Sequence, residues 1–248
     1  MNPFLIVCNW KTYLSYNQIK TWLTEHATQL HQLCSEAHKN QIELVFALPA
    51  ESLMYAQNFS FSLAAQNCSA WGQGAHTGET TAESIAQLGC TYSLIGHSER
   101  RLENGETEEL ISKKYLRAIH AGVQPILCVG ESLSERQSSN LEEIVARQLK
   151  PAIAAVYEQT IIAYEPIWAI GSGITPSADN IAHVATFIRK ALQKEPTHHK
   201  TIRVLYGGSV TSQTIPLLLK AEIDGFLIGK ASTDFQELKK IVFSILRR

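Results

Sequence analysis

The chain has 248 residues, with 22 Lys and Arg against 23 Asp and Glu, a formal net charge of −1 and 45% hydrophobic residues. This near-neutral balance excludes a nucleic-acid-binding protein that works by bulk charge, because neutralising phosphates requires an excess of Lys and Arg. The hydrophobic fraction excludes a disordered chain. No apolar run approaches the roughly 18 residues of a membrane span, so we expect a soluble protein.

Cysteine usage points to a reducing compartment. The number of cysteines is odd and none lies in a C-x-x-C cluster of the zinc or redox type: they are Cys8, Cys34, Cys68, Cys90 and Cys128. The apolar run Phe4–Cys8 is too short for the core of a secretory signal, and Asn9 ends it at once. We therefore expect reduced thiols, no metal site and a cytoplasmic location, the last by default.

Short apolar runs alternate with longer helical patterns along the whole chain. The predicted strands are Phe4–Cys8, Glu43–Ala47, Phe59–Gln66, Thr91–Ile95, Val123–Val129, Thr160–Tyr164, Ile202–Tyr206 and Ile223–Ile228. They are nearly continuous apolar runs, which is typical of parallel strands buried on both faces. The clearest helical patterns between them are Leu110–His120, Leu141–Leu149 and Ile181–Leu192, and Thr175 before Pro176 predicts the start of the last one.

Eight alternating β and α units in about 250 residues predict an α/β fold: one (β/α)8 barrel domain of eight parallel strands over residues 1–248. The alternative is an open, doubly wound sheet. Such a sheet usually carries a G-x-G-x-x-G segment after its first strand. Here Asn9-Trp10-Lys11 follows the first strand, and no glycine precedes Gly72. This difference favours the barrel.

Polar residues follow the predicted strands at the end where a barrel of this kind carries its active site. Asn9 and Lys11 follow strand 1, and His97 and Glu99 follow strand 4. The later strands deliver Glu165, Ser209, Gly229 and Lys230. A cation, an imidazole, a carboxylate and glycine turns are thus expected at one face of the barrel.

Three of these side chains have a possible role in proton chemistry. Glu165 lies in an apolar segment, where burial raises a carboxyl pKa and makes a stronger base, or it pairs with a neighbouring cation. His97 begins a short helix, whose positive end favours a neutral ring, or it is an ordinary structural histidine. Lys11 stabilises developing negative charge, or it is a solvated loop lysine.

Three loops have the composition of a phosphate site with a lid. Residues 207–210 and 229–232 carry glycines after strands 7 and 8, the recurrent phosphate site of this fold, although such glycines also simply make tight turns. Residues 166–176 have proline at both ends, an apolar middle and a Gly-Ser-Gly segment. We predict that they form a lid that excludes water, the alternative being a packed loop.

Six segments together resemble the triosephosphate isomerase family, in the family's order and from one end of the chain to the other. They are Asn9-Trp10-Lys11, Gly74–Glu79, Ile95–Arg101, Cys128–Glu131, Ala163–Gly173 and Tyr206–Val210. The resemblance implies interconversion of dihydroxyacetone phosphate and glyceraldehyde 3-phosphate, a step of glycolysis and gluconeogenesis, through an enediolate, without cofactor or metal. One alternative is a phosphate-binding barrel with different proton chemistry, and another is a catalytically inert barrel.

The resemblance also implies residue roles. Glu165 resembles the base, His97 the neutral electrophile, and Lys11 the cation that stabilises the substrate and the enediolate. Asn9 resembles a residue that assists at the substrate oxygens, and Glu99 the carboxylate that supports Lys11. The family's phosphate clamp, made of backbone N–H groups, is resembled here by the backbone of Gly171, Ser209, Gly229 and Lys230.

The family is usually homodimeric, through a loop that residues 71–79 resemble. Two positions in this chain depart from the family pattern. Lys230 replaces the second glycine of the phosphate clamp, and its backbone N–H still fits there if its φ is negative. We expect its side chain to turn away from the phosphate. His76 stands where an aromatic residue is common, which is expected to affect the packing of the interface more than the chemistry.

Overall fold

The computed structural model describes residues 2–138, 140–155, 157–193 and 200–247. Eight parallel strands pair in sequence order and close into a (β/α)8 barrel, the last strand pairing with the first. They are β1 Phe4–Asn9, β2 Ile42–Leu48, β3 Ser62–Ala65, β4 Cys90–Ile95, β5 Gln124–Val129, β6 Gln159–Tyr164, β7 Thr201–Tyr206 and β8 Gly225–Ile228. The predicted single-domain barrel is confirmed, and the doubly wound alternative was wrong.

Helices surround the barrel and connect its strands. They are α1 Tyr16–Lys39, α2 Ala50–Ala56, α3 Ala82–Gln87, α4 Ser98–Glu103, α5 Glu108–His120, α6 Leu133–Gln137, α7 Leu141–Gln148, α8 Lys150–Ala154, α9 Ala178–Gln193, α10 Ile215–Leu218 and α11 Phe235–Leu246. Three short 3₁₀ turns lie at Ile167–Ala169, Leu219–Ala221 and Lys230–Thr233. No helix within the described ranges is long and apolar enough to cross a membrane.

The strands separate two apolar cores. Alternate strand residues such as Val7, Val45 and Ile126 fill the interior of the barrel. The residues between them, such as Ile6 and Leu127, pack outwards against the helices. Because both faces of every strand are covered, the strand sequences are almost continuously apolar. The barrel is thus a rigid frame that fixes the residues at its carboxyl end.

The structure corrects several predicted boundaries: β8 begins at Gly225 rather than Ile223, and two others have a clear physical reason. β3 begins at Ser62 rather than Phe59, because Phe59 and Phe61 lie in a turn, with the Phe61 ring against Phe46 and the Phe59 ring stacked on Phe61. α9 begins at Ala178, so the helix start predicted at Thr175 was wrong. Ser177 is the capping residue, since its hydroxyl accepts the backbone N–H of Asn180 at 3.2 Å.

Candidate active site

Glu165 and His97 form a buried pair, and they follow the ends of β6 and β4, respectively. Nε2 of His97 lies 3.2 Å from Oε1 of Glu165, and only 6% and 4% of their side chains are exposed. The backbone N–H of Glu99 donates to Nδ1 of His97 at 3.3 Å. Nδ1 is therefore an acceptor, and the ring proton lies on Nε2, facing the carboxylate.

Each member of this pair shifts the pKa of the other. Burial lowers the pKa of His97, whereas the Glu165 carboxylate raises it, and the net pKa lies above the ordinary value of 6.5. Burial has the largest single effect and raises the pKa of Glu165, but His97, the Cys128 thiol and Lys11 together lower it, so the net pKa lies below the ordinary value of 4.5. The sequence-based expectation of a raised Glu165 pKa was wrong, because it considered burial without the neighbouring groups. The expectation that the helix end favours a neutral His97 ring was wrong in the same way, because the Glu165 carboxylate raises the His97 pKa.

Two glycines make room for Glu165. A Cβ on Gly207 would lie 2.7 Å from Cγ of Glu165, and one on Gly130 would lie 1.8 Å from its carbonyl oxygen. The backbone N–H of Glu165 donates to Val129, and Gly207 donates to Tyr164. The Oε2 atom of Glu165 is buried and accepts no hydrogen bond from a described residue. The carboxylate is thus fixed in position with one oxygen available.

Lys11 is held at the same mouth of the barrel by contacts at both ends of the residue. Its Nζ donates to Oε1 of Glu99 at 2.5 Å. Its backbone has a φ of 44°, a left-handed conformation that is uncommon for a residue with a side chain. The N–H of Lys11 donates to Oδ1 of Asn9, and the Gln66 amide donates to the Lys11 carbonyl at 2.9 Å. These contacts stabilise the unusual backbone.

Gln66 was not identified as a site residue from the sequence. It was included only as the last residue of a predicted strand, whereas it lies just beyond β3. Its amide also donates to the carbonyl of Ala47 at 3.1 Å, and so joins the β1 loop to β2. A polar residue directly after an apolar strand was the available signal, since the same signal identified Asn9 and Lys11.

The predicted phosphate loops meet around one cavity of about 260 Å³. Gly171, Ser209, Gly229 and Lys230 line it, together with Asn9, Lys11, His97 and Glu165. All the predicted site residues except Glu99 therefore border the same cavity, and Glu99 reaches it through Lys11. Lys230 is absent from the residues with positive φ, so its backbone meets the condition set for keeping a phosphate contact.

The predicted lid, residues 166–176, joins the barrel through a second buried carboxylate. Glu131 is fully buried, and its Oε1 accepts from the Tyr164 hydroxyl at 3.1 Å and the Trp168 indole at 2.9 Å. The Ser209 hydroxyl donates to the Ala169 carbonyl at 2.8 Å. Ile174, near the other end, is exposed. These contacts fix the start of the segment and leave its apolar tip in solvent.

Glu131 was also not assigned a role from the sequence. It was noted only as part of a family-like segment, and two of its three side-chain donors, Tyr164 and Trp168, lie 33 and 37 residues further along the chain. Its other hydrogen-bond donor is Arg136, at 3.4 Å from Oε1, and Arg136 also lies over the Trp168 ring. The sequence near Glu131 contains no pattern that predicts such a cluster.

The loop of residues 71–79 borders a second, larger cavity of about 550 Å³ through Gly78 and Glu79. The His76 ring stacks on Trp71 within this loop, with ring centroids 5.1 Å apart. His76 thus replaces an aromatic residue with another flat ring that packs. In the described part of the chain, no group of three or more His, Cys, Asp or Glu residues is arranged to hold a metal ion.

Comparison with known proteins agrees with this geometry. The sequence model of the triosephosphate isomerase family matches residues 4–245. Proteins named triosephosphate isomerase are similar to the chain over nearly their whole length. The one from Aquifex aeolicus is 37% identical, over 97% of this chain and 98% of that protein. The one from Alcanivorax borkumensis is 41% identical, over 92% of each.

The chain belongs to the triosephosphate isomerase family. Triose-phosphate isomerization, an intramolecular aldose–ketose conversion, is the activity that this membership supports, and nothing in the comparisons favours an inert barrel.

Proposed function

We propose that this chain interconverts dihydroxyacetone phosphate and glyceraldehyde 3-phosphate by moving a proton between adjacent carbons, with Glu165 as the base. The observation that carries the proposal is the buried Glu165–His97 pair at the mouth that also holds Lys11. The lowered pKa keeps Glu165 ionised near neutral pH. A carboxylate without a surrounding water shell can then take a proton from carbon and return it to the neighbouring carbon.

His97 acts as the electrophile. Its Nε2–H points to Glu165 at the edge of the cavity that both residues line, and a substrate carbonyl oxygen that accepts this hydrogen bond instead becomes polarised. The Glu99 N–H bonded to Nδ1 opposes a second ring proton, and so works against the rise in the ring pKa that the Glu165 carboxylate causes. We propose that the ring reacts as a neutral donor once the substrate oxygen takes the place of the carboxylate at Nε2. Negative charge that develops on the substrate oxygen then meets both this donor and the Lys11 ammonium.

Lys11 and Asn9 bind and orient the reacting part of the substrate. The Glu99 carboxylate holds the Lys11 ammonium, and the Asn9 side chain holds the Lys11 backbone. A cation fixed in this way stabilises an enediolate without having to reorganise during the reaction. Glu99 thus acts through Lys11 and is a positioning residue.

The phosphate is bound by backbone N–H groups of Gly171, Ser209, Gly229 and Lys230. The shared cavity supports this role, because these four residues come from three different loops and border one space. Closure of residues 166–176 over that space would exclude water and protect an enediolate from losing phosphate. The anchored Trp168 end and the exposed Ile174 tip support a lid that moves at its far side.

We further propose that the chain works as a cytoplasmic homodimer through residues 71–79, without cofactor or metal. Five free cysteines support a reducing location. The acid, base and cation described above are sufficient for proton transfer without an added group.

A coupled spectrophotometric assay of glyceraldehyde 3-phosphate conversion tests this function. The purified chain is expected to turn over without added metal, and EDTA is expected to leave the rate unchanged. Absence of turnover by folded protein at high concentration would contradict the proposal. Sedimentation of the same sample measures the dimer separately, so failure of one part does not obscure the other.

A further inference from the structure

Two cavities meet at the carboxyl end of the barrel, and they differ in charge. Four carboxylates line the larger one, which is the cavity that the loop of residues 71–79 borders, against two cations, Lys11 and Arg100: the carboxylates are Glu51, Glu79, Glu99 and Glu103. The smaller one, where the phosphate loops meet, has Glu165 as its only carboxylate among the described residues that line it, against Lys11 and Lys230. A dianionic substrate therefore meets opposite fields in two adjacent cavities.

The two lysines of the smaller cavity are not equivalent. The Lys11 ammonium is paired with Glu99 at 2.5 Å, so its positive charge is partly neutralised by a fixed partner. The Lys230 side chain is exposed, and within the described ranges no carboxylate lies at ion-pair distance from it. Lys230 is thus the uncompensated cation beside the phosphate loops.

The backbone fixes where this charge can lie. Gly229 is adjacent to the Lys11 side chain, since a Cβ built on Gly229 would lie 3.9 Å from Cε of Lys11. Lys230 follows directly and begins the 3₁₀ turn Lys230–Thr233. A lysine side chain has four carbons before its ammonium, and its length is less than the Debye length of about 10 Å at 0.1 M salt. Wherever the exposed stem points, its charge acts on the cavity.

We propose that the Lys230 ammonium is a substrate-attracting group, which draws in the dianionic phosphate of the substrate through space without ligating it. This inference rests on the proposed phosphate site. It assigns to the side chain a role separate from that of the backbone N–H. Because the charge is exposed, its effect is screened by salt, whereas a direct contact would be screened much less.

The test compares charge changes at the two ends of the barrel. Lys230→Gln and Lys230→Glu remove or reverse the charge beside the cavity. Lys39 is exposed at the end of α1, opposite the active-site end, and Lys39→Gln and Lys39→Glu change the net charge by the same amounts. For each variant, kcat/KM for glyceraldehyde 3-phosphate and inhibition by inorganic phosphate are measured at about 20 and 200 mM ionic strength.

At low ionic strength, Lys230→Gln is expected to lower kcat/KM about threefold and Lys230→Glu about tenfold, with weaker phosphate inhibition. Both differences shrink at high ionic strength, and the Lys39 variants match the unchanged chain. The inference is overturned if Lys230→Gln has no effect, if its effect is independent of salt, or if Lys39→Gln has the same effect. Lack of phosphate inhibition in the unchanged chain would instead contradict the phosphate site itself.

Discussion

At each end of the barrel a carboxylate contacts polar side chains, but the two carboxylates differ in whether both of their oxygens accept a hydrogen bond. At the amino end, Glu43 accepts from the Ser62 hydroxyl at 3.0 Å and from the Tyr92 hydroxyl at 2.9 Å on its other oxygen. At the carboxyl end, one oxygen of Glu165 contacts His97 and the other has no hydrogen-bond donor among the described residues.

The bonded carboxylate at the amino end contributes to stability, whereas the carboxylate with a free oxygen at the carboxyl end is available for chemistry. A buried acceptor without a donor costs free energy, whereas a fully bonded one stabilises the fold. The amino end follows the second pattern, and burial together with Glu43 raises the pKa of Tyr92 to about 12, so Tyr92 remains a donor. The carboxyl end keeps an unsatisfied base and a left-handed Lys11, as expected where binding of a substrate supplies the missing contacts.

The largest expected effect comes from shortening the base. Glu165→Asp withdraws the carboxylate by one methylene, and a displacement near 1 Å can cost about 100-fold in rate. We expect kcat to fall by at least about that factor, with thermal unfolding nearly unchanged. An unchanged kcat in the coupled assay would remove Glu165 from the role of base.

A smaller loss is expected when the base is displaced by a neighbour. Gly207→Ala places a Cβ 2.7 Å from Cγ of Glu165, where ordinary contact begins at 3.4 Å. The carboxylate must shift by less than 1 Å, so we expect kcat to fall about tenfold. Because alanine has no Cγ, adding Gly207→Ala to Glu165→Ala should cost little more than Glu165→Ala alone, and full additivity of the two losses would contradict this steric explanation.

A change at the amino end of the barrel should lower the stability and leave kcat nearly unchanged. Glu43→Leu leaves the Tyr92 and Ser62 hydroxyls without their acceptor, which is expected to lower the free energy of unfolding by about 1–3 kcal/mol. Urea unfolding at fixed protein concentration measures this loss. The kcat of the folded variant should stay within about twofold of the unchanged chain, since Glu43 lies far from the substrate cavity. A large fall in kcat would show that the two ends are coupled.

The sequence was sufficient for the barrel because its strands are uniformly apolar and its helices amphipathic, and both are local patterns. It was also sufficient to bring together Lys11, His97 and Glu165, because parallel strands of a barrel end at the same face. The start of α9 was missed because Ser177, two residues after Thr175, is also a good cap. Proline position alone could not choose between them.

The remaining misses share one cause, which is long-range contact. Gln66 supports Lys11 from 55 residues away, and Glu131 contacts Trp168 37 residues further along the chain. The pKa of Glu165 depends on His97, Cys128 and Lys11 from other strands and loops, and together these groups outweigh the effect of burial. Pairings of this kind follow from how the barrel closes, so a single residue's neighbours in sequence do not predict them.

The most direct test of the central claim, that Glu165 and His97 form one coupled reactive pair, is NMR titration of the His97 ring in the unchanged chain and in Glu165→Gln. Burial and Lys11 lower the His97 pKa, whereas the Glu165 carboxylate and, more weakly, Glu99 raise it. Coupling of the pair predicts a His97 pKa above the ordinary 6.5 in the unchanged chain and a lower pKa in Glu165→Gln. The same His97 pKa in both proteins would contradict it.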